Sequence, residues 1–286
     1  MGAQTGERRH NAAAGICSMT IPKLSRRAFG STLAAAVVAS AATPAKSPLR
    51  LGVGTFSYHT LSMDDMIVQL RRLDIREIEM SRGEFMLMKP PTPEMCRDAR
   101  AKFDRAGIRC VSYYIATIKD DHDLDLAVRY AAILGASNVS GDATGPILNS
   151  IDRRFTEEGL TFGIHNHWFK QKFAYETVAD VLNGLKDLSN TCGATLDVGQ
   201  MAACGQDPVE AVRKLATHLK VVHLKDVAGA GAEHNVLFGQ GVVNIPAVIH
   251  ELKSVGFRGL VAIEYEKDTN SDKDMEQLVA YARSLS

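Results

Sequence analysis

Between Pro48 and the carboxyl end, eight short strand-like runs alternate with longer stretches of helical period, a pattern that commits a chain to repeated βα units around a parallel sheet. The runs are Leu51–Phe56, Glu77–Met80, Arg109–Ile115, Asn138–Gly141, Thr161–His167, Ala194–Asp197, Lys220–Leu224 and Gly259–Glu264. Between them, apolar residues recur at helical spacing over Met63–Leu73, Pro93–Ala106, Leu124–Leu134, Tyr175–Leu188, Pro208–His218 and Ile245–Val255. Gly107, Gly135, Gly159 and Gly256 stand where a helix closes before the next strand. Eight such units over residues 48–286 predict a single closed (β/α)8 barrel, for which about 250 residues is the usual size. An open doubly wound sheet is the lesser option, and no Gly-x-Gly-x-x-Gly follows the first run to support it.

Four of the later runs end in a residue able to bind a metal: Phe162-Gly-Ile-His165-Asn-His167, Ala194-Thr-Leu-Asp197, Val221-Val-His223 and Val261-Ala-Ile-Glu264. A barrel gathers its chemistry at the carboxyl ends of its strands, so these four can converge on one divalent cation. Strand side chains alternate, so residues two apart share a face. His165 and His167 therefore face together, as do Glu77 and Glu79, His223 and Lys225, and Glu264 and Glu266. Asn166, between two inward residues, needs a hydrogen-bond partner on the other side.

The balance of charge, 33 Lys plus Arg against 33 Asp plus Glu, gives no net field to draw in a nucleic acid or a charged membrane. A neutral small molecule is the expected partner. Five cysteines, Cys17, Cys96, Cys110, Cys192 and Cys204, have neither CxxC spacing nor disulfide-scaffold density and read as buried apolar residues. Ahead of the barrel, residues 1–47 contain Ser25-Arg26-Arg27-Ala28-Phe29 and an alanine-rich run to Ala42, with small residues at Ala39 and Ala41. This resembles a twin-arginine export signal with its cleavage site, too short and weakly apolar for stable membrane insertion. The expected location is periplasmic or secreted, and the expected substrate an unphosphorylated one, since sugar phosphates are largely retained inside cells.

In order and spacing, His165-Asn-His167, Leu196-Asp197-Val-Gly199, Val222-His223-Leu-Lys225-Asp226, Gly239-Gln-Gly241 and Gly256-Phe-Arg-Gly-Leu-Val-Ala-Ile-Glu264-Tyr-Glu266 resemble the xylose isomerase-like TIM barrel family of sugar isomerases and epimerases, from Leu51 to the end. The resemblance implies one divalent ion, Mn²⁺, Co²⁺, Zn²⁺ or Mg²⁺, held by His165, Asp197, His223 and Glu264. It also implies a homo-oligomer. Many relatives carry a glutamate where His165 stands and a histidine where Gln200 follows Gly199. Histidine at 165 keeps a ligand, removes a carboxylate base and favours imidazole-friendly ions.

A carbonyl oxygen on such a cation acidifies the neighbouring C–H, and a carboxylate removes that proton to give an enediolate. Glu264 is the first candidate for proton transfer and Glu79 the second, with His167 and Lys225 as further catalytic candidates. His59, Tyr113 and Glu266 are candidates for substrate binding; of the neighbours Tyr113 and Tyr114, at most one can face the pocket. The expected activity is that of an isomerase or epimerase on a sugar or keto-sugar. Because His165 breaks the pair of carboxylates that epimerisation uses, a lyase of the same fold, an inosose-type dehydratase or 3-ketoglycoside eliminase, is the alternative. A non-catalytic exported sugar-binding protein is a third reading. His122, His218, His234 and His250 read as surface or packing residues.

Overall fold

The computed structural model describes residues 48–87, 89–168, 173–232, 234–267 and 271–286; the export-signal reading falls outside them. In chain order the elements are β1 Arg50–Gly54, α1 Met63–Arg72, β2 Glu77–Met80, α2 Pro93–Ala106, β3 Arg109–Thr117, α3 Asp121–Leu134, β4 Asn138–Asp142, α4 Ile147–Glu158 and β5 Thr161–His165. There follow α5 Val178–Gly184, β6 Cys192–Asp197, α6 Val198–Ala203, α7 Pro208–Leu215, β7 Leu219–Leu224, the short strands β8 Asp226–Val227 and β9 Asn235–Val236, α8 Ile245–Ser254, β10 Leu260–Ile263 and α9 Ser271–Leu285. Eight strands close in the order β1-β10-β7-β6-β5-β4-β3-β2, every pairing parallel, while β8 and β9 form a separate antiparallel ribbon. The expected barrel is therefore the observed one.

Local chemistry explains the bounds. Thr92 caps α2 by accepting from the Met95 amide at 3.2 Å, with Pro93 pre-set for the first turn. The expected terminal glycines Gly107, Gly135, Gly159 and Gly256 all have left-handed φ, from 68° to 76°. Among the elements that differ from their expected spans, α5 and β5 bear on the site. α5 starts only at Val178, because Thr177 and Asp180 build a capping box ahead of it. β5 stops at His165, two residues short of His167.

Helix-facing strand residues such as Ile78, Val139, Ile164, Leu196 and Ile263 are fully buried against the helices. The middle of the barrel interior is instead polar: Ser112 Oγ donates to Glu79 Oε1 at 2.6 Å, and the Ser140 and Thr195 hydroxyls lie 2.7 Å apart. Cys96, Cys110 and Cys192 are buried free thiols and Cys204 is a half-buried one.

Where β3 pairs with β2, one residue of β3 has no partner. Ile78 stands opposite Cys110, but Glu79 stands opposite Ser112, so Val111 is a bulge. One extra residue inverts the alternation beyond it, which turns Ser112 and Tyr114 inward and Tyr113 outward.

Candidate active site at the strand ends

Asp197 is the best-anchored member of the cluster. Its Oδ1 caps α6 by accepting from the Gln200 amide at 2.9 Å, which turns Oδ2 toward the barrel axis. Asn166 locks the same residue from the next strand: its Oδ1 accepts from the Asp197 amide at 2.8 Å and its Nδ2 donates to the Asp197 carbonyl at 3.0 Å. The outward partner that Asn166 required is thus a neighbouring strand end.

His223 lies among three carboxylates, with Nε2 at 2.5 Å from Glu79 Oε2 and Nδ1 at 3.3 Å from Glu264 Oε2 and 3.9 Å from Asp197 Oδ2. His165 Nε2 lies 3.8 Å from Asp197 Oδ2. Glu264 fits because β1 presents glycine to it: a Cβ on Gly54 would stand 2.2 Å from Glu264 Oε1. Lys225 sends its ammonium into the same space, 2.9 Å from Asp197 Oδ2, 3.0 Å from Glu264 Oε2 and in contact with Glu266.

These charges set one another. Burial works against the Lys225 ammonium, but Asp197, Glu266 and Glu264 outweigh it and hold its pKa well above the ordinary lysine value. Burial likewise opposes the Asp197 carboxylate, and Lys225 with the two histidines pulls it well below the usual range. For His223, burial favours the neutral ring, yet Glu264 and Glu79 raise it to about 9. Glu79 is held low by His223 against its own burial. His167 is pushed down to about 4 by burial and by His165. Burial lifts Asp142, at the end of β4, to about 6.

The donor set suits a cation. His165, Asp197 and His223 each offer one atom within 4.8 Å of the others, as do Glu79, His223 and Glu264. Asp197 Oδ2 and His223 Nδ1, 3.9 Å apart, are buried without a hydrogen bond among the described residues, the Lys225 ammonium facing Asp197 Oδ2 as an ion pair. Buried polar atoms are seldom left so, and convergent ones mark a place for an ion. With Nε2 committed to Glu79, His223 has Nδ1 to offer; the histidine–carboxylate pairing is the usual way a ligand imidazole is oriented. Glu79 thus stands behind His223 and is not among the residues that line the cavity.

A cavity of about 120 Å³ opens over this cluster, lined by His165, His167, His223, Lys225, Glu264 and Glu266, with Phe56, Met86 and Tyr114 as its apolar and aromatic wall. Two expected substrate residues lie elsewhere. Tyr113 is fully buried on the helix side of β3, its hydroxyl donating to the Phe85 carbonyl, because the Val111 bulge gives the inward position to Tyr114. His59 stacks on Phe56 with ring centroids 4.9 Å apart, and Phe56 takes the place on the wall. The sequence reading also missed Asp142. It ends β4 as His165 ends β5 and Asp197 ends β6, one residue beyond the expected run, and that position was the available signal.

A family model described as xylose isomerase-like TIM barrel matches residues 68–285. A rhizopine catabolism protein of Rhizobium meliloti, MocC, is 28% identical over 145 residues, 45% of this chain and 44% of that protein, so the chain matches less than half the length of this relative. Among solved structures, the probable 3-DHS dehydratase AsbF of Bacillus anthracis is 13% identical with a TM-score of 0.65, covering 82% of this chain and 98% of that one. D-psicose 3-epimerase from Clostridium cellulolyticum is 12% identical with a TM-score of 0.64, covering 82% and 99%. At these identities the structural likeness concerns the fold alone.

Proposed function

The chain belongs to the xylose isomerase-like TIM barrel family, and from that premise we propose that it is a divalent-cation-dependent enzyme of the isomerase or epimerase type, acting on an unphosphorylated sugar or keto-sugar. The observation that carries this reading is the Glu264 carboxylate standing 3.3 Å from His223 Nδ1, beside Asp197 and His165, on the floor of the cavity. His165, Asp197, His223 and Glu264 would hold the cation. Bound there, it would polarise a carbonyl oxygen and make the adjacent C–H acidic.

The remaining work belongs to side chains. Glu264, the lining carboxylate beside His223 Nδ1, takes the proton. Lys225, in contact with both Glu264 and Glu266, carries protons for the opposite transfer. His167, kept neutral by burial, offers a hydrogen bond to a sugar hydroxyl without adding charge. Tyr114, Phe56 and Met86 give a sugar ring an apolar face to lie on. The lining carboxylates, with Lys225 already engaged by three of them, disfavour a phosphorylated ligand.

One observation favours a lyase as the second reading. An ammonium 3.0 Å from the candidate base is the acid–base pair that removal of a proton and protonation of a leaving group require, and His165 stands where a second carboxylate would be needed for epimerisation. Proton NMR in D₂O of Mn²⁺-loaded protein with free ketoses and with a 3-ketoglucoside separates the cases. Deuterium beside the carbonyl with an altered configuration or skeleton supports the isomerase or epimerase; an unsaturated product with released aglycone supports the lyase. Glu264→Gln should lower either rate by about 10²–10⁴-fold. Absence of exchange across a broad sugar panel would favour a binding protein. The export reading rests on residues 23–45 and is checked by fractionating cells that express Arg26→Lys/Arg27→Lys: retention of the uncleaved chain inside the cell is the expected result.

A further inference from the structure

Two buried polar atoms without a hydrogen bond among the described residues belong to neighbouring strand ends: Asp142 Oδ1 on β4 and His165 Nδ1 on β5. The register sets them side by side. Gly141 stands opposite Ile164 in this parallel pair, so the next residues, Asp142 and His165, are adjacent. Alternation turns both to the inner face, in line with Ser140 on one strand and Gly163 on the other. His165 already directs Nε2 toward Asp197 Oδ2 on β6, which leaves Nδ1 as the ring atom without a task.

An imidazole that binds a cation through one nitrogen carries its proton on the other, and that N–H is normally given to a carboxylate or carbonyl that sets tautomer and ring angle. His223 has such a partner in Glu79. For His165, whose ring packs edge-on against Tyr114 at 5.2 Å, the neighbouring carboxylate on β4 is Asp142.

We infer that Asp142 is a positioning residue of the site, accepting the Nδ1–H of His165, directly after a side-chain rotation or through one water, so that Nε2 is presented to the cation. The inference rests on the reading that His165 is a cation ligand. It makes the site a pair of matching units, Glu79 behind His223 and Asp142 behind His165, each contributing its charge from behind an imidazole.

The test is Co²⁺ binding to the full chain, by calorimetry and by the visible spectrum of the bound ion, in the wild type, Asp142→Ala, Asp142→Asn, His165→Glu and Asp142→Ala/His165→Glu. Asp142→Ala should weaken binding by about 10–100-fold. Asp142→Asn keeps an acceptor oxygen and should recover part of that loss. In the His165→Glu background, which has no ring N–H to orient, the Asp142→Ala penalty should vanish. Equal affinities of wild type and Asp142→Ala, or the same penalty in both backgrounds, overturn the role. A wild type that takes up Co²⁺ while these results fail sinks Asp142 alone; a folded wild type that takes up none overturns the cation reading and this role with it. Should His165→Glu not fold, the Co²⁺ spectrum of folded Asp142→Ala decides: an altered ligand field supports the assignment and an unchanged one overturns it.

Discussion

Lys225 carries its ammonium into a pocket walled by three carboxylates, and such a cluster survives burial only while its charges compensate. Its side chain is 3% exposed, Asp197 is fully buried and Glu264 nearly so. Lys225→Met leaves Asp197 and Glu264 facing each other with the His223 imidazolium as the cation that still adjoins both. Removing one partner of a buried ion pair costs about 3–5 kcal/mol. In EDTA the variant should melt at a markedly lower temperature than the wild type, and a divalent ion should restore more stability to it than to the wild type, since the ion then compensates the carboxylates in place of the ammonium. Melting curves with and without Mn²⁺ check both; an unchanged metal-free melt would show that the ammonium does not hold this cluster together.

At the scale of the element, one residue of β3 decides what the cavity wall is made of. A strand without the Val111 bulge would present Tyr113 to the pocket and Tyr114 to the helices. The observed parity predicts opposite phenotypes for two neighbouring substitutions. Tyr113→Phe leaves the Phe85 carbonyl without its donor and should cost about 1–3 kcal/mol of stability with turnover unchanged. Tyr114→Ala removes part of the wall and should raise KM while stability changes less. Denaturant melts and steady-state kinetics on the pair test the register; a kinetic defect confined to Tyr113→Phe would contradict it.

For the molecule as a whole, the polar interior makes stability depend on pH in a way set by the site. His223 is raised from 6.5 to about 9 in the folded chain, so its contribution is complete below pH 6.5 and is lost as pH rises through about 9. Glu79 and Asp197 are lowered, so theirs is present above the ordinary carboxylate range and is lost as pH falls through it. His167, lowered to about 4, costs stability as pH falls below 6.5, and Asp142, raised to about 6, returns it over nearly the same range, so the metal-free protein should be most stable from about pH 5 to 6.5 and weaken on both sides. A saturating divalent ion should reduce the alkaline loss, because it takes His223 as the neutral ring and stabilises the folded state by about 2.7 kcal/mol at a hundredfold excess over its Kd. Melts across pH with EDTA or Mn²⁺ read this directly.

The barrel was legible in the order of the chain because strand and helix periods, terminal glycines and cap residues act within a few positions of one another. So was the alignment of His165, Asp197, His223 and Glu264, since period-two alternation and the ends of the runs are local facts. What only the folded chain decided depends on contacts between distant residues. The parity of β3 follows from its pairing with β2, so Tyr114 replaced Tyr113. The engagement of His223 Nε2 by Glu79 joins residues 144 apart in sequence, the Lys225 cluster joins β6, β7 and the end of β10, and the adjacency of Asp142 to His165 is a matter of register between β4 and β5. Periodicity assigns a residue to a face; only closure of the sheet determines which other side chain it meets there.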